Sequence, residues 1–364
     1  MKRLLLLAFL PLPMQAQALP TLTPLPVAAS LQELDFRIDP RIALEKSGCL
    51  AMFNADDAVV LCADMATGTT RSVGHKGSGP GEFRLAGPIV ARPGGGVVAY
   101  DQANARMSLI SSAWKIERSV SVPGIMLGVY QVVGDSIYGL GVPTNSNDAP
   151  VAGKPATQGQ SLVAVSLTSG KSVAHFAPIA ADSAGHFVDP NLKMVTPFAT
   201  AVLPRRAGGW YLPAPRDHMV FVLDAKGIKR LTMSRPGMPP EFMTKAEKAR
   251  VEEQLATQLK GATAEQLKAA HAIIDPLLKR PKAQITVTAI AEDGAGRLWL
   301  ATPRIRSDST EVDVFSGAGK FLGTRRIPGN VTGLLVQGDQ MVGVVEWLAG
   351  DREGMQGIVR YRVR

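Results

Sequence analysis

Residues 74–83 read Gly-His-Lys-Gly-Ser-Gly-Pro-Gly-Glu-Phe, and they are followed by Gly87-Pro-Ile-Val90 and by Val97-Val-Ala-Tyr-Asp-Gln-Ala-Asn-Ala-Arg-Met107. A phosphate-binding loop opens a helix and carries Lys and then Ser or Thr after its last glycine. Here Glu82-Phe83 and a short apolar run come next, so the glycines are read as a connector. Ile89-Val90 and Val97 to Tyr100 are apolar runs of strand length, turned by Pro93-Gly-Gly-Gly96, and the loop Asp101-x-x-Asn104-x-Arg106 leads into a further run. Loop, strand, glycine turn, strand, polar loop and strand make one blade of a β-propeller.

The same order recurs in five other segments. The first is a hairpin over Cys49 to Cys62 that continues through Met65-Ala-Thr-Gly68 into Thr69 to Val73. Others run from Gly134 to Phe176, from Gly208 to Met233, from Gly294 to Arg326, and from Val331 to the carboxyl end. Equivalent turns lie about 40 residues apart where nothing is inserted, the length of a four-stranded blade. The expected fold is all-β, a six-bladed β-propeller. Its last blade lacks an outer strand of its own, and Leu31-Gln-Glu-Leu-Asp-Phe-Arg-Ile38 is the expected donor, closing the ring and removing an open sheet edge.

One segment leaves the β pattern. Thr244-Lys-Ala-Glu247 and Thr263-Ala-Glu-Gln266 are both capping boxes, in which the hydroxyl and the acid or amide three residues on satisfy helix-start amides. Gly261 separates them, so a two-helix insertion is expected over 241–281, between the outer strand of one blade and the inner strand of the next. It serves either as a lid over a site or as a prop between blades.

The wording of residues 74–110 resembles the NHL-type six-bladed propellers. In that family the Asp, Asn and Arg of the polar loop brace the blade, which implies structural roles for Asp101, Asn104 and Arg106. The family holds sensors, scaffolds and some enzymes, so the resemblance implies a fold and leaves the function open.

Met1-Lys-Arg, an apolar run Leu4 to Leu10 and Ala16-Gln-Ala18 follow the order of a secretory signal, with cleavage expected after Ala18. The apolar run is far short of the roughly 20 residues that span a bilayer. The reading is therefore a signal over 1–18, an extension over 19–30 and a single propeller over 31–364, periplasmic or secreted, without membrane insertion and as a monomer. The net charge of +9 drops by two when Lys2 and Arg3 leave with the signal. A basic surface admits a protein partner or a small anionic or polar ligand; no basic run interleaved with aromatics suggests nucleic acid.

The two cysteines, Cys49 and Cys62, fall on opposite arms of a hairpin whose turn is read as Asn54 to Asp57, which sets them opposite each other at disulfide distance. Export makes the bond chemically reasonable.

Candidate site residues gather on one face, that of the second-to-third strand loops and the blade connectors. His75 and Lys76 lie there, with Arg216 and His218, Arg304 and Arg306, and Arg352, an arginine rim able to pair a carboxylate or phosphate. The competing reading is a set of Arg–acid pairs bracing neighbouring loops. The histidines show no paired-ligand spacing, although His75, His186 and His218 with Asp189 and Asp217 would be the members of an axial metal or acid–base site. The chain is accordingly read as a non-catalytic binding module with no cofactor. The alternative is a lactonase-like hydrolase or a lyase holding a divalent cation on the axis.

Overall fold

The computed structural model describes residues 18–142 (without 86 and 123–124), 161–178, 203–213, 219–235 (without 226–228), seven positions within 245–260, 263–279, and 289–364 (without 306–307 and 349). The described residues form six four-stranded antiparallel sheets and one two-residue parallel pair, His75–Lys76 with Glu82–Phe83. Blade 1 has strands Ala43–Leu44, Leu50–Asn54, Val59–Ala63 and Thr70–Val73. Blade 2 has Ile89–Ala91, Val97–Asp101, Arg106–Ile110 and Ile116–Ser121. Blade 3 has Ile125–Val133, Ser136–Val142, Ser161–Ser166 and Ser172–Pro178. Blade 4 has Leu203–Pro204, Trp210–Pro213, Met219–Leu223 and Lys229–Ser234. Blade 5 has Ala289–Glu292, Leu298–Ile305, Ser309–Phe315 and Phe321–Pro328. Blade 6 has Asn330–Gln337, Gln340–Glu346 and Gln356–Val363, with Leu22–Pro24 as its outer strand.

The first strands of successive blades touch one another all the way round, blade 6 meeting blade 1, so they line a central channel. Antiparallel order then fixes two faces. The turn face carries the first-to-second and third-to-fourth strand turns, and the loop face carries the second-to-third loops and the connectors between blades.

The core lies between blades. Val98, Tyr100, Met107 and Leu109 of blade 2 pack against Val132, Ile137, Val163 and Val165 of blade 3, and blades 1 and 2, 4 and 5, 5 and 6, and 6 and 1 do likewise. A middle strand is therefore buried on both sides, which is why Val97–Asp101 is buried at every position and its sequence does not alternate. Tryptophans serve these seams: Trp299 is fully buried, and Trp210 stacks on Tyr138 of blade 3 with ring centroids 5.8 Å apart.

The amino-terminal segment closes the ring, but with Leu22–Pro24 rather than with residues 31–38. Leu22 faces Val363 and Pro24 faces Tyr361 on the carboxyl-terminal strand. Residues 31–38 are part of a connector that begins in a one-turn helix, α1 (Ala29–Gln32). Leu31, Leu34 and Ile38 are buried at spacings of three and four, against Val342, Val344 and Ile358 of blade 6 and Leu50 and Met52 of blade 1. Pro24, within the closing strand, is tolerated because this is an edge strand.

Cys49 and Cys62 are disulfide-bonded, with Cα atoms 5.6 Å apart. The hairpin register differs from the expected one: Asn54 faces Val59, and Cys62 faces Ala51. Asn54 Oδ1 accepts from the amides of Asp56 and Asp57, so Asn54 stands before the turn and not within it. The bond is thus diagonal, joining Cys62 to the residue two before its cross-strand neighbour.

The second helix of the insertion, α2, spans Ala264–Lys279. Its capping box is made in both directions, the Thr263 amide donating to Gln266 Oε1 (2.9 Å) and the Gln266 amide to Thr263 Oγ1 (3.3 Å). Leu267, on its first turn, is 37% exposed. The first helix falls mostly outside the described residues, although Lys245, Lys248, Ala249, Glu252, Glu253 and Ala256 are helical. No helix among the described residues is long and apolar enough to cross a membrane.

Candidate functional site

The turn face is built from one repeated device. In four blades the amide that ends the inner strand donates to the carbonyl four residues on, and the amide three residues on donates back. These pairs are Glu45 with Cys49 and Gly48, Arg92 with Gly96 and Gly95, Arg205 with Gly209 and Gly208, and Asp293 with Arg297 and Gly296, all at 2.8–3.0 Å. Gly48, Gly95, Gly208 and Gly296 each have a φ of 73–99°, a left-handed conformation that glycine adopts without penalty. Blades 3 and 6 use two-residue turns instead, Gly134-Asp135 and Gly338-Asp339. The device fixes a charged residue at the same place in each of four blades, around the channel mouth.

Two of those charges are tied inward. Glu45, 3% exposed, accepts from the amides of Ser47 (2.7 Å) and Gly96 (2.9 Å), locking the turns of blades 1 and 2 together. Burial pushes its carboxyl up, but the hydrogen bonds from Ser47, Gly96 and Lys46 outweigh it and leave the carboxyl below its ordinary value. Asp293 accepts from the Ala295 and Arg297 amides, from Arg297 Nε (2.7 Å) and from Trp299 Nε1 (2.9 Å). Arg205 lies over the Tyr211 ring at 5.2 Å.

At this mouth blades 1, 2, 3 and 6 line a cavity of about 610 Å³. Ile42, Leu44, Ile89, Val90, Val132 and Leu335, from the inner strands of four blades, form its apolar wall, and Lys46, Arg92, Gln131 and Gln337 bring polar groups to its rim. Lys46 is exposed and carries no ion pair among the described residues. Arg92 is paired with Glu117 (2.7 Å). A concave, mostly apolar space of this size with a few convergent polar groups has the form of a small-molecule site. None of its lining residues is among the candidates read from the sequence, because a channel wall is assembled from alternate positions of separate strands and has no linear signature.

Several of the sequence candidates lie on the opposite face. His75 is exposed and its Nε2 lies 3.1 Å from Glu82 Oε1; Lys76 is exposed beside it, on a two-residue bridge pairing His75 with Glu82 and Lys76 with Phe83. Arg352 stacks over Trp347 at 4.1 Å and reaches Glu33 at 3.8 Å. Trp347 Nε1 in turn donates to the Gln32 carbonyl, so this arginine braces the closing connector. Arg304 lies in the second strand of blade 5, with its side chain outside the described residues. Arg216, His218 and Arg306 lie outside the described residues, as do His186, Asp189 and Asp217. Among the described residues no three His, Cys, Asp or Glu side chains gather in a way that could hold a metal.

The polar loop of blade 2 is a hub. Asp101, fully buried, accepts from the amides of Arg84 (2.8 Å), Leu85, Ala103 and Asn104 and from Asn104 Nδ2 (2.7 Å). Asn104 Nδ2 also donates to the Gly77 carbonyl, and the Arg106 guanidinium donates to the carbonyls of Ser78 (3.2 Å) and Glu82 (2.5 Å). The three side chains hold the glycine-rich connector against the blade.

No protein-family model and no curated protein matches the chain. Solved structures do. An exported protein of Bacteroides fragilis superposes with a TM-score of 0.52 at 11% identity, over 95% of both chains. A member of the DUF4221 family from Bacteroides vulgatus gives 0.52 at 11% identity, over 95% of this chain and 98% of the other. A protein of unknown function from Bacteroides thetaiotaomicron gives 0.50 at 9% identity, over 95% and 76%. At these identities the likeness shows the six-bladed propeller fold and nothing of the activity.

Proposed function

We propose that the chain is an exported, non-catalytic binding propeller that takes a small amphiphilic anion at the channel mouth of the turn face. The observation that carries the reading is the 610 Å³ cavity, apolar in its walls, with Lys46 and Arg92 at its rim. Aliphatic side chains favour an apolar body, and two cations at one edge favour a carboxylate or similar head group. Export rests on the signal-like leader and agrees with the Cys49–Cys62 bond, a bond that persists in oxidising compartments.

Laurate, kept below its micelle concentration and titrated calorimetrically into the oxidised protein, tests the reading. Lys46→Glu should weaken binding about tenfold, the loss of one charge-assisted contact. Lys76→Glu, on the loop face, should leave it unchanged. Binding that survives Lys46→Glu and is lost in Lys76→Glu moves the site to the opposite mouth and overturns the proposal.

A further inference from the structure

Beside the channel mouth lies a second cavity of about 320 Å³, between blades 2 and 3, and Arg92, Pro93 and Val132 form part of both walls. Its other charged lining residues are Glu117, Arg118 and Asp135. Two of these are committed to structure. Arg118 donates to the Leu167 carbonyl (2.7 Å) and to Thr168 Oγ1 (3.4 Å). Asp135 accepts from Ser166 Oγ (2.8 Å) and Thr168 Oγ1 (2.6 Å), and these bonds hold its carboxyl below the ordinary range. The Arg92–Glu117 pair is different. Its side chains are 26% and 46% exposed, and the remaining contact of Arg92, to the Ile110 carbonyl, is a long one at 3.5 Å.

Glu117 owes its position to a β-bulge. Ile110 pairs with Ile116 and Leu109 with Arg118, so Glu117 is the extra residue. The third-to-fourth strand pairs of blades 3, 4 and 5 carry the same bulge, which there presents Val173, Arg230 and Leu322. A bulge re-aims one side chain without disturbing the strand beyond it. In blade 2 it puts a carboxylate against the arginine that lines the channel mouth.

We infer that Glu117 is an internal counter-ion that the ligand's anionic head displaces. Arg92 is then the specificity-determining residue, selecting a monoanionic amphiphile by exchanging one carboxylate for another, and the smaller cavity receives the released Glu117 side chain. The inference rests on the proposed ligand site, and it adds a competitor built into the protein. A pair this exposed holds Arg92 weakly, within a factor of about five, so a ligand head group can replace it.

The test is a cycle of laurate affinities in the full oxidised chain. Glu117→Gln removes the competitor on an exposed position and should tighten binding about two- to fivefold. Arg92→Gln should weaken it, and Glu117→Gln added to Arg92→Gln should change nothing further. Unchanged or weaker binding in Glu117→Gln overturns the inference, as does a gain that persists without Arg92; in either case the Lys46 dependence keeps the ligand site standing. If laurate does not bind the wild-type chain at all, the ligand site and the counter-ion fall together.

Discussion

The two faces of this propeller are built by opposite means. The turn face repeats one short device, a strand end, three or four residues and a left-handed glycine, so that its geometry is nearly the same in blades 1, 2, 4 and 5. Among the described residues the loop face is less regular: blades 1 and 2 share an Asx turn, in which Asn54 and Asp101 each accept from the amides two and three residues on. Its connectors differ in length and sequence, and the glycine-rich one is held by Asp101, Asn104 and Arg106. Repetition brings charges to fixed places around an axis, where Glu45 and Asp293 brace their turns, while on the loop face Asp101, Asn104 and Arg106 brace a single connector. The cavity, with Lys46 exposed at its rim and in no ion pair among the described residues, lies on the more regular face.

The comparison breaks most visibly at the buried hub of the loop face. Asp101→Ala leaves the amides of Arg84 and Leu85 without their acceptor at a fully buried site and should cost about 4 kcal/mol, the range for breaking a buried network. The urea midpoint should fall accordingly, and protease should then cut within residues 74–88. Loss of stability with that connector still protected would show that the loop face is held by something other than this hub.

Next in size is a glycine on the turn face. Gly96 has a φ of 76°, and a Cβ there would lie 2.1 Å from the Ile110 carbonyl oxygen. Gly48 has a φ of 90° with nothing within 4 Å. Gly96→Ala should therefore cost about 3 kcal/mol, backbone strain plus a clash that no side chain can relieve, against about 1 kcal/mol for Gly48→Ala. Equal costs in thermal unfolding would mean that the turns tolerate shifts and that their uniformity is not a packing constraint.

The same logic shows what could be read in advance. The glycines and apolar runs announce six blades because turn chemistry and strand length are local properties. The sequence points to residues 31–38 for ring closure, but Leu31, Leu34 and Ile38 bury an apolar edge at helix-like spacing without forming a strand, while the true donor, Leu22–Pro24, is three residues long and ends in a proline. The cysteine pairing was legible although its register was not: Asn54 caps the turn through its side chain, which shifts the hairpin by one residue on each arm and turns an opposed pair into a diagonal one. The cavity was illegible. Ile42, Ile89, Val132 and Leu335 are ordinary strand residues until the ring brings them together.

A smaller effect is expected at Trp114, which holds a φ of 62° in the third-to-fourth strand turn of blade 2, where the matching turn of blade 5 has Gly319 at 88°. Trp114 is 6% exposed and packs in the seam that includes Cys49 and Cys62. Replacing it by glycine removes about 1 kcal/mol of backbone strain and loses about 3 kcal/mol of burial, a net cost near 2 kcal/mol by denaturant unfolding. A variant more stable than the parent would mean that the strain outweighs the packing.

The smallest effect tests how the turn face is locked between blades, and its signature is pH rather than size. Glu45 joins the turns of blades 1 and 2 through the Ser47 and Gly96 amides, and its carboxyl sits below its ordinary value of 4.5 in the folded chain. A carboxyl whose pKa is lowered by folding binds fewer protons folded than unfolded. It therefore adds stability that is fully present above the unfolded value and is lost as the pH falls through the folded one. Glu45→Gln should be less stable than the parent at pH 7, and the gap between their urea midpoints should narrow below pH 4.5 as the parent's carboxylate takes up its proton. A gap that stays constant down to pH 3 would mean that the amide geometry, and not the charge, locks the two blades. The charge on Glu45 would then play no part in joining the turns of blades 1 and 2.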